Sequence, residues 1–263
     1  MEVLDLKKIR NKKSTKTTIM NKKILFTTLI LSLTFSINAQ NWWGKSEKIK
    51  GNGNVITVNR TTDDYDAINA GGSFDVILIK GTEGKITIEG EENIIPYIET
   101  EVKSGSLKIN FKKNTNISTT KRLTVTVTFK DIESIGLGGS GNITSKEIIN
   151  AKDFSVSLGG SGNIDLQLNA KNVNANIGGS GNIDLEGKTE TFKCSIAGSG
   201  SIRAFELNTN DVNATIAGSG SVKTTVKNKI DAKLVGSGSI YYKGNPTHVN
   251  SKSVGSGSIV DRN

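Results

Sequence analysis

Two aspartates in this sequence have the spacing expected of a reactive pair. Asp165 and Asp184 hold the same position in successive copies of an internal repeat, four residues after a serine. If the copies stack as neighbouring strands, the two carboxylates lie about 5 Å apart and could share a cation or divide acid and base roles. Later copies have Arg203, Lys223 and Tyr241 at this position. This favours a solvated ladder of mixed charge, in which Arg203 pairs with Asp184.

Other residues that could do chemistry are few. Residues 159–165 resemble the calcium-binding nonapeptide G-G-x-G-x-D, but the aspartate comes one residue late and the repeat is far longer than nine residues. Cys194 falls in a column of small apolar residues, which predicts a buried thiol. His248, the single histidine, is predicted to lie at the surface. We therefore predict no catalytic residue, no metal site and no cofactor.

The repeat itself has a Gly-Ser-Gly core and a nearly fixed period. Its serines are separated by 21, 19, 19, 20, 18 and 19 residues, and they are Ser140, Ser161, Ser180, Ser199, Ser219, Ser237 and Ser256. Self-similarity at such a period is typical of proteins that stack one structural unit on the next.

Apolar residues in each copy stand at odd offsets from the serine, and polar residues stand mostly at even offsets. Three residues after the serine, for example, are Ile143, Ile164, Ile183, Ile202, Val222, Ile240 and Ile259. A period of two indicates strands with one face inward. One copy cannot bury its own apolar face, whereas stacked copies can. The pattern predicts an all-β parallel β-helix with coils of about 19 residues.

The motif predicts both a corner and an exposed ladder. The glycine after each serine falls on the inward side without a side chain, which permits a bend, a positive φ or a close backbone approach. These structural corner residues are Gly141, Gly162, Gly181, Gly200, Gly220, Gly238 and Gly257. Outward residues of like type should stack, and asparagine amides can bond between coils. The predicted surface ladder is Ser140, Asn142, Ser161, Asn163, Asp165, Ser180, Asn182, Asp184, Ser199, Ser201 and Arg203.

Before the regular repeats, which cover about residues 132–260, the sequence predicts less regular coils. Gly71, Gly72 and Ser73 form a degenerate copy of the motif, with Phe74 in place of the second glycine. Short apolar runs bounded by turn residues predict further strands. These are Val55–Val58, Phe74–Ile79, Lys85–Glu89, Ile94–Glu99, Leu107–Phe111 and Leu123–Phe129.

The first 39 residues have the layout of a secretory signal peptide. A basic stretch after Met20 precedes an apolar run, and we predict cleavage after Ala39. Met20 is favoured over Met1 as initiator, and a retained membrane anchor is the alternative. Beyond residues 1–39 we predict a polar lead over residues 40–54, containing Trp42 and Trp43, and a single β-helix domain over residues 55–263.

Removing the predicted signal peptide changes the charge of the chain. The full sequence has a net charge of +9, but residues 1–39 contain eight basic and two acidic residues, which leaves 26 basic and 23 acidic residues. The remaining net charge of +3 does not indicate nucleic-acid binding. A single cysteine allows no intrachain disulfide. No later apolar run has the length of a transmembrane helix, so we predict none in the mature chain.

Several of these features resemble one known family. They are the export signal, the Gly-Ser-Gly coils, residues 65–68 before Gly71, the strand pair around Gly105, and the Tyr-x-x-Gly-x-Pro ending at Pro246. Together they are similar to the putative auto-transporter adhesin, head GIN domain family, over roughly residues 64–260. The resemblance implies a right-handed β-helix in exported proteins, chiefly of Bacteroidetes. It supplies no catalytic motif to carry over.

The sequence therefore favours an exported, non-enzymatic protein with an adhesin-like binding or structural role at the cell envelope, whether periplasmic, on the outer surface or extracellular. The main alternative is an envelope polysaccharide lyase or hydrolase that uses Asp165 and Asp184. A passive module that associates through its open ends is a third hypothesis. No partner is named by the sequence; a glycan, a cell-surface protein or a second copy would suit the polar face or the coil ends.

Overall fold

The computed structural model describes residues 47–263 as a parallel β-helix of about seven turns, with coils of about 19 residues. The predicted fold class is confirmed. The predicted signal peptide, its cleavage site after Ala39 and the tryptophans Trp42 and Trp43 lie outside the described residues.

The described residues contain eighteen β-strands and a short 3-10 helix between β5 and β6, over Ile95–Tyr97. The strands are β1 (Glu47–Lys50), β2 (Val55–Thr61), β3 (Ala67–Gly71), β4 (Asp75–Lys80), β5 (Lys85–Glu91), β6 (Ile98–Lys103), β7 (Ser106–Phe111), β8 (Thr115–Ser118), β9 (Thr124–Phe129), β10 (Ser134–Leu137), β11 (Asn142–Leu158), β12 (Asn163–Gly179), β13 (Asn182–Gly198), β14 (Ser201–Gly218), β15 (Ser221–Gly236), β16 (Ser239–Lys243), β17 (His248–Val254) and β18 (Ser258–Asp261).

The strand predicted over Ile94–Glu99 is wrong in its first half, because Ile95–Tyr97 form the 3-10 helix and β6 follows it. Pro96 has no backbone N–H, and its ring fixes φ near the helical value. A proline is therefore suited to the first turn of a helix and unsuited to the interior of a strand.

In the regular coils each strand lies in register with the same strand of the coil before it. Ile164, for example, is paired with Ile143 on one side and with Ile183 on the other. The inward column is completely buried at Ile143, Ile164, Ile183, Ile202, Val222 and Ile240. Stacking of like on like thus forms the continuous aliphatic core that the alternation predicts.

The Gly-Ser-Gly motif forms one corner of each coil, and the backbones of neighbouring coils come very close there. A Cβ added at Gly162 would collide with the carbonyl oxygen of Gly141 and would lie 2.8 Å from Cδ2 of Leu137. Close approach, and not a positive φ, therefore requires glycine at this position. A positive φ is found instead at the glycine before the motif serine, as at Gly236, where φ is 124°.

The first two coils are stacked in the reverse of their order in the sequence. The coil formed by β3 and β4 lies between β10 and β11 on one side and β7 and β9 on the other. The chain therefore passes from β9 across that coil to reach β10. The degenerate motif forms a corner under the first regular one, since Asn142 donates its backbone N–H to the carbonyl of Phe74 at 3.2 Å.

Antiparallel strands close the N-terminal end of the stack. β5 pairs antiparallel with both β9 and β2, and β6 pairs antiparallel with β7. These strands pair with backbone groups that the terminal coil would otherwise leave as a free edge. At the other end, β17 and β18 lie parallel to β15 and β16, and every residue of β17 is exposed.

A buried carboxylate fastens this N-terminal closure. Glu91, which is 1% exposed, accepts bonds from the Thr120 hydroxyl at 2.5 Å and from the backbone N–H groups of Thr120 at 2.8 Å and Gly53 at 2.7 Å. The Thr120 hydroxyl, followed by the amides of Thr120, Gly53 and Lys121, lowers the pKa of Glu91 to about 2, although burial opposes this change. The carboxylate thus ties the segment before β2 to the segment before β9.

Replacing Glu91 with glutamine is expected to lower the melting temperature at pH 7. It should also make the melting temperature fall less as the pH is lowered. Because the folded-state pKa is depressed, the carboxylate stabilises the fold above about pH 4.5 and loses that effect as the pH falls toward 2. Melting temperatures recorded from pH 7 to pH 2 check this. The exposed neighbour Glu92, changed to glutamine, is the matched control. An equally steep acid dependence in the Glu91 variant would contradict the assignment.

Candidate functional site

The asparagine part of the predicted ladder is a continuous chain of hydrogen bonds. Asn182 donates from Nδ2 to Oδ1 of Asn163 at 2.8 Å, and Asn163 donates to Asn142 at 2.9 Å. Asn142 in turn donates to Oδ1 of Asp75 at 2.6 Å. Arg122 pairs with the other oxygen of Asp75 at 2.7 Å. Every amide of this asparagine ladder therefore has the same orientation, toward the N-terminal end of the stack.

The serine part of the ladder is less continuous. The motif serines Ser140, Ser161, Ser180 and Ser199 are exposed at the corner. Within residues 47–263, no hydrogen bond joins the hydroxyls of successive motif serines. In the column two residues further on, Ser221 donates to Ser201 at 3.1 Å. The corner therefore presents single hydroxyls, whereas the neighbouring column presents bonded side chains.

Arg203 occupies both oxygens of Asp184. Its Nε donates to Oδ1 at 2.5 Å and its Nη2 donates to Oδ2 at 2.7 Å. Asp165 lies in register one coil away and is exposed. Because both oxygens of Asp184 accept hydrogen bonds from Arg203, these two aspartates are not arranged as a proton-sharing pair.

The other chemically distinctive residues occupy structural positions. Cys194 is 3% exposed, and burial raises the pKa of its thiol to about 12, so the reactive thiolate is disfavoured. His248 is exposed, and its Nδ1 lies 2.9 Å from the hydroxyl of Thr247.

Within residues 47–263, no group of three or more His, Cys, Asp or Glu side chains is placed to hold a metal ion. Among these same residues, no helix has the length and apolar character needed to cross a membrane.

Changes in coil length are confined to the corner opposite the Gly-Ser-Gly motif. The register shifts fall between Ser145 and Ile148 in β11, between Asp184 and Gly187 in β13, and between Ala204 and Asp211 in β14. We call this edge of the stack the second corner: residues 145–151, 166–171, 185–190, 204–210 and 224–228. Insertions that collect on one face of a repeat protein often mark its binding face.

A polar groove of about 900 Å³ runs along the second corner. It crosses several coils, and we call it the second-corner groove; its polar lining includes Asn150, Asn169, Lys171, Lys188, Asn208 and Lys227. Asn150, Asn169 and Lys188 are paired in register on successive coils, so the groove follows the axis of the stack. None of the residues predicted as a site from the sequence lies in this groove. The signal that could have found it is the unequal serine spacing, 21, 20 and 18 residues in three of the copies.

Comparison with known proteins places this geometry in a family. The model of the family described as putative auto-transporter adhesin, head GIN domain, matches residues 64–246. The chain belongs to this family. The family resemblance seen in the sequence is therefore confirmed for the head GIN domain. No curated protein sequence matches the chain at a significant level.

Solved structures share the fold of this head GIN domain. A putative adhesin from Bacteroides fragilis is 27% identical, with a TM-score of 0.77, over 81% of this chain and 100% of its own. A putative lipid binding protein from Parabacteroides distasonis is 29% identical, with a TM-score of 0.67, over 82% of this chain and 100% of its own. A putative adhesin from Parabacteroides merdae is 25% identical, with a TM-score of 0.67 and the same coverage.

Proposed function

We propose that this head GIN domain is an exported, non-enzymatic module of the cell envelope that binds a surface or a carbohydrate along its stacked coils. The asparagine ladder is the observation that carries the proposal. Its amides are exposed or half-buried, repeat at the spacing of the coils and are bonded in one orientation from Asn182 to Asp75. A surface that is ordered before contact loses little side-chain entropy on binding.

Further support comes from two independent features. The family and two of the three structural neighbours named above are described as putative adhesins, and the residue pattern of positions 1–39 is that of an export signal. The ion pair between Arg203 and Asp184 disfavours the polysaccharide-active enzyme, because it engages one of the two carboxylates which that mechanism needs.

The chain beginning at residue 40 is expected to bind isolated bacterial envelopes or members of a glycan array. Changing Asn142, Asn163 and Asn182 together to alanine is expected to weaken binding by about tenfold, because three polar contacts of modest strength are lost. Binding curves with the labelled protein measure this effect. The matched control changes Asn174, Asn176 and Asn213 to alanine on the other face of the coils.

The outcomes of this experiment separate the claims. Undiminished binding by the ladder variant would show that the contact lies elsewhere on the coils. Failure of the wild-type chain to bind any envelope or glycan would overturn the binding function. Turnover of a polysaccharide that Asp184→Asn abolishes, with the fold intact, would restore the enzyme hypothesis.

A further inference from the structure

The second-corner groove carries positive charge that the fold does not use. Lys171 approaches Glu190 at 4.0 Å. By contrast, Lys188 and Lys227 form no salt bridge with any of residues 47–263. Both side chains are exposed, and both line the same groove. Their ammonium groups are therefore free to meet an anionic ligand.

Amides supply the other half of the recognition surface. Asn169 donates from Nδ2 to Oδ1 of Asn150 at 3.2 Å, which orients both side chains along the groove. Asn208 continues this line next to Lys188, with which it is paired in register. A side-chain amide offers both a donor and an acceptor, which suits the hydroxyl and acetamido groups of a sugar. The groove thus combines sparse positive charge and one carboxylate, that of Glu190, with many neutral polar groups.

Three carboxylates restrict what the groove can accept. Glu190 lines the second-corner groove itself, 4.0 Å from the ammonium of Lys171. Glu186 and Glu206 line an adjoining groove of about 500 Å³, which lies on the other side of Lys188. Gln167 donates to Glu186 at 3.5 Å, while Glu206 forms no salt bridge within the described residues. A ligand with a charge on every unit would be repelled by these groups. A ligand with widely spaced charges would place hydroxyls against them.

Lys188 and Lys227 lie two coils apart along the stack. Lys188 is paired with Asn208, Asn208 is paired with Thr225 of the next coil, and Lys227 follows Thr225 by two residues. At one strand spacing per coil this separation is on the order of 10 Å. That is also about the length of one disaccharide in an extended polysaccharide of pyranose rings, so successive anionic groups of such a chain would fall on successive lysines.

From this spacing and charge we infer that the second-corner groove binds a linear glycan with one carboxylate in each disaccharide. The inference rests on the proposed function only in taking the coils as a binding surface, and its site is separate from the asparagine ladder. The glycan lies along the axis of the stack, with carboxylates at Lys188 and Lys227 and ring substituents at Asn150, Asn169 and Asn208.

Titration calorimetry with a hyaluronan decasaccharide tests this assignment, because hyaluronan has one carboxylate in each disaccharide. Changing both Lys188 and Lys227 to glutamine is expected to raise Kd by at least about tenfold. The control changes the exposed Lys233 and Lys252 to glutamine, which removes the same charge from the strands between the second corner and the motif corner. The control variant should bind as the wild type does. Added salt should weaken binding of hyaluronan to the wild type. The carboxyl-reduced decasaccharide should bind the wild type no more tightly than it binds the Lys188/Lys227 variant.

Any of three results would overturn the inference. The wild type could fail to bind hyaluronan, both double variants could lose hyaluronan affinity equally, or the wild type could bind the carboxyl-reduced sugar as tightly as hyaluronan. Because the four lysines are exposed, melting temperatures should match that of the wild type, which separates binding from folding. Binding to envelopes or neutral glycans that survives in the Lys188/Lys227 variant would leave the proposed function in place while removing this site.

Discussion

Replacing Gly162 with valine is expected to lower the free energy of unfolding by about 3 kcal/mol. The new Cβ would collide with the carbonyl oxygen of Gly141 and press on Leu137, whose Cδ2 would be 2.8 Å away. Neither neighbour can yield easily, because one is backbone held in the inter-coil ladder and the other is 3% exposed in the core. Equilibrium unfolding in urea, followed by circular dichroism, measures the loss.

Gly159 provides the matched control for this change. It is exposed three residues earlier, and a Cβ added there would have no atom within 4 Å. Gly159→Val is therefore expected to change stability by less than about 0.5 kcal/mol. Equal stability of the two variants would show that backbone contact between coils does not explain the glycine at position 162.

Replacing Phe192 with alanine is expected to cost about 3–5 kcal/mol. Its side chain is 0% exposed and is stacked between Val173 of the preceding coil and Val212 of the following one. The smaller side chain would leave a cavity in the middle of the aliphatic column, and the rigid pairing of coils on both sides limits collapse into it. The same urea titration provides the measurement.

Phe205 is the control for the aromatic truncation. It is half-buried at the second corner, with the ammonium of Lys243 4.5 Å from its ring centroid. Phe205→Ala should remove a partly exposed cation–π contact and cost about 1 kcal/mol. A loss at Phe192 no larger than this would contradict a continuous, tightly packed core.

The regular coils could be predicted because each inward position is occupied many times over. Ile164 and Ile183 meet the same environment, so their shared type and parity reveal strand, face and stacking together. The Arg203 and Asp184 pair was predicted for the same reason, since equal offsets from the motif place both side chains on one column. In a repeated sequence, the spacing of residues within one copy therefore predicts contacts between coils.

The N-terminal closure could not be predicted in this way. The partners of Glu91 are mainly backbone amides, and an amide has no signature in the sequence. The reversed order of the first coils depends on pairing of β3 and β4 with β7 and β9, and the coil of β7 and β9 has no Gly-Ser-Gly motif from which an offset could be counted. The second-corner groove could not be predicted for a related reason: the register shifts at this corner place Lys227 two residues past Thr225, the residue in the column of Lys188 and Asn208, so a fixed offset from the motif does not bring the two lysines together.

The reversed stacking of the first coils sets a condition on assembly of a chain that leaves the ribosome or a translocation channel N-terminus first. The coil of β3 and β4 appears first, but its two neighbours are built from segments that emerge later, at β7–β9 and at β10–β11. Nascent coils therefore cannot simply be added one after another from the beginning. The chain up to about residue 145 must first fold into a template for the later coils. This folding step requires pairing between strands far apart in the sequence, and such pairing is slow. Each later coil can then be laid down in turn on a finished surface.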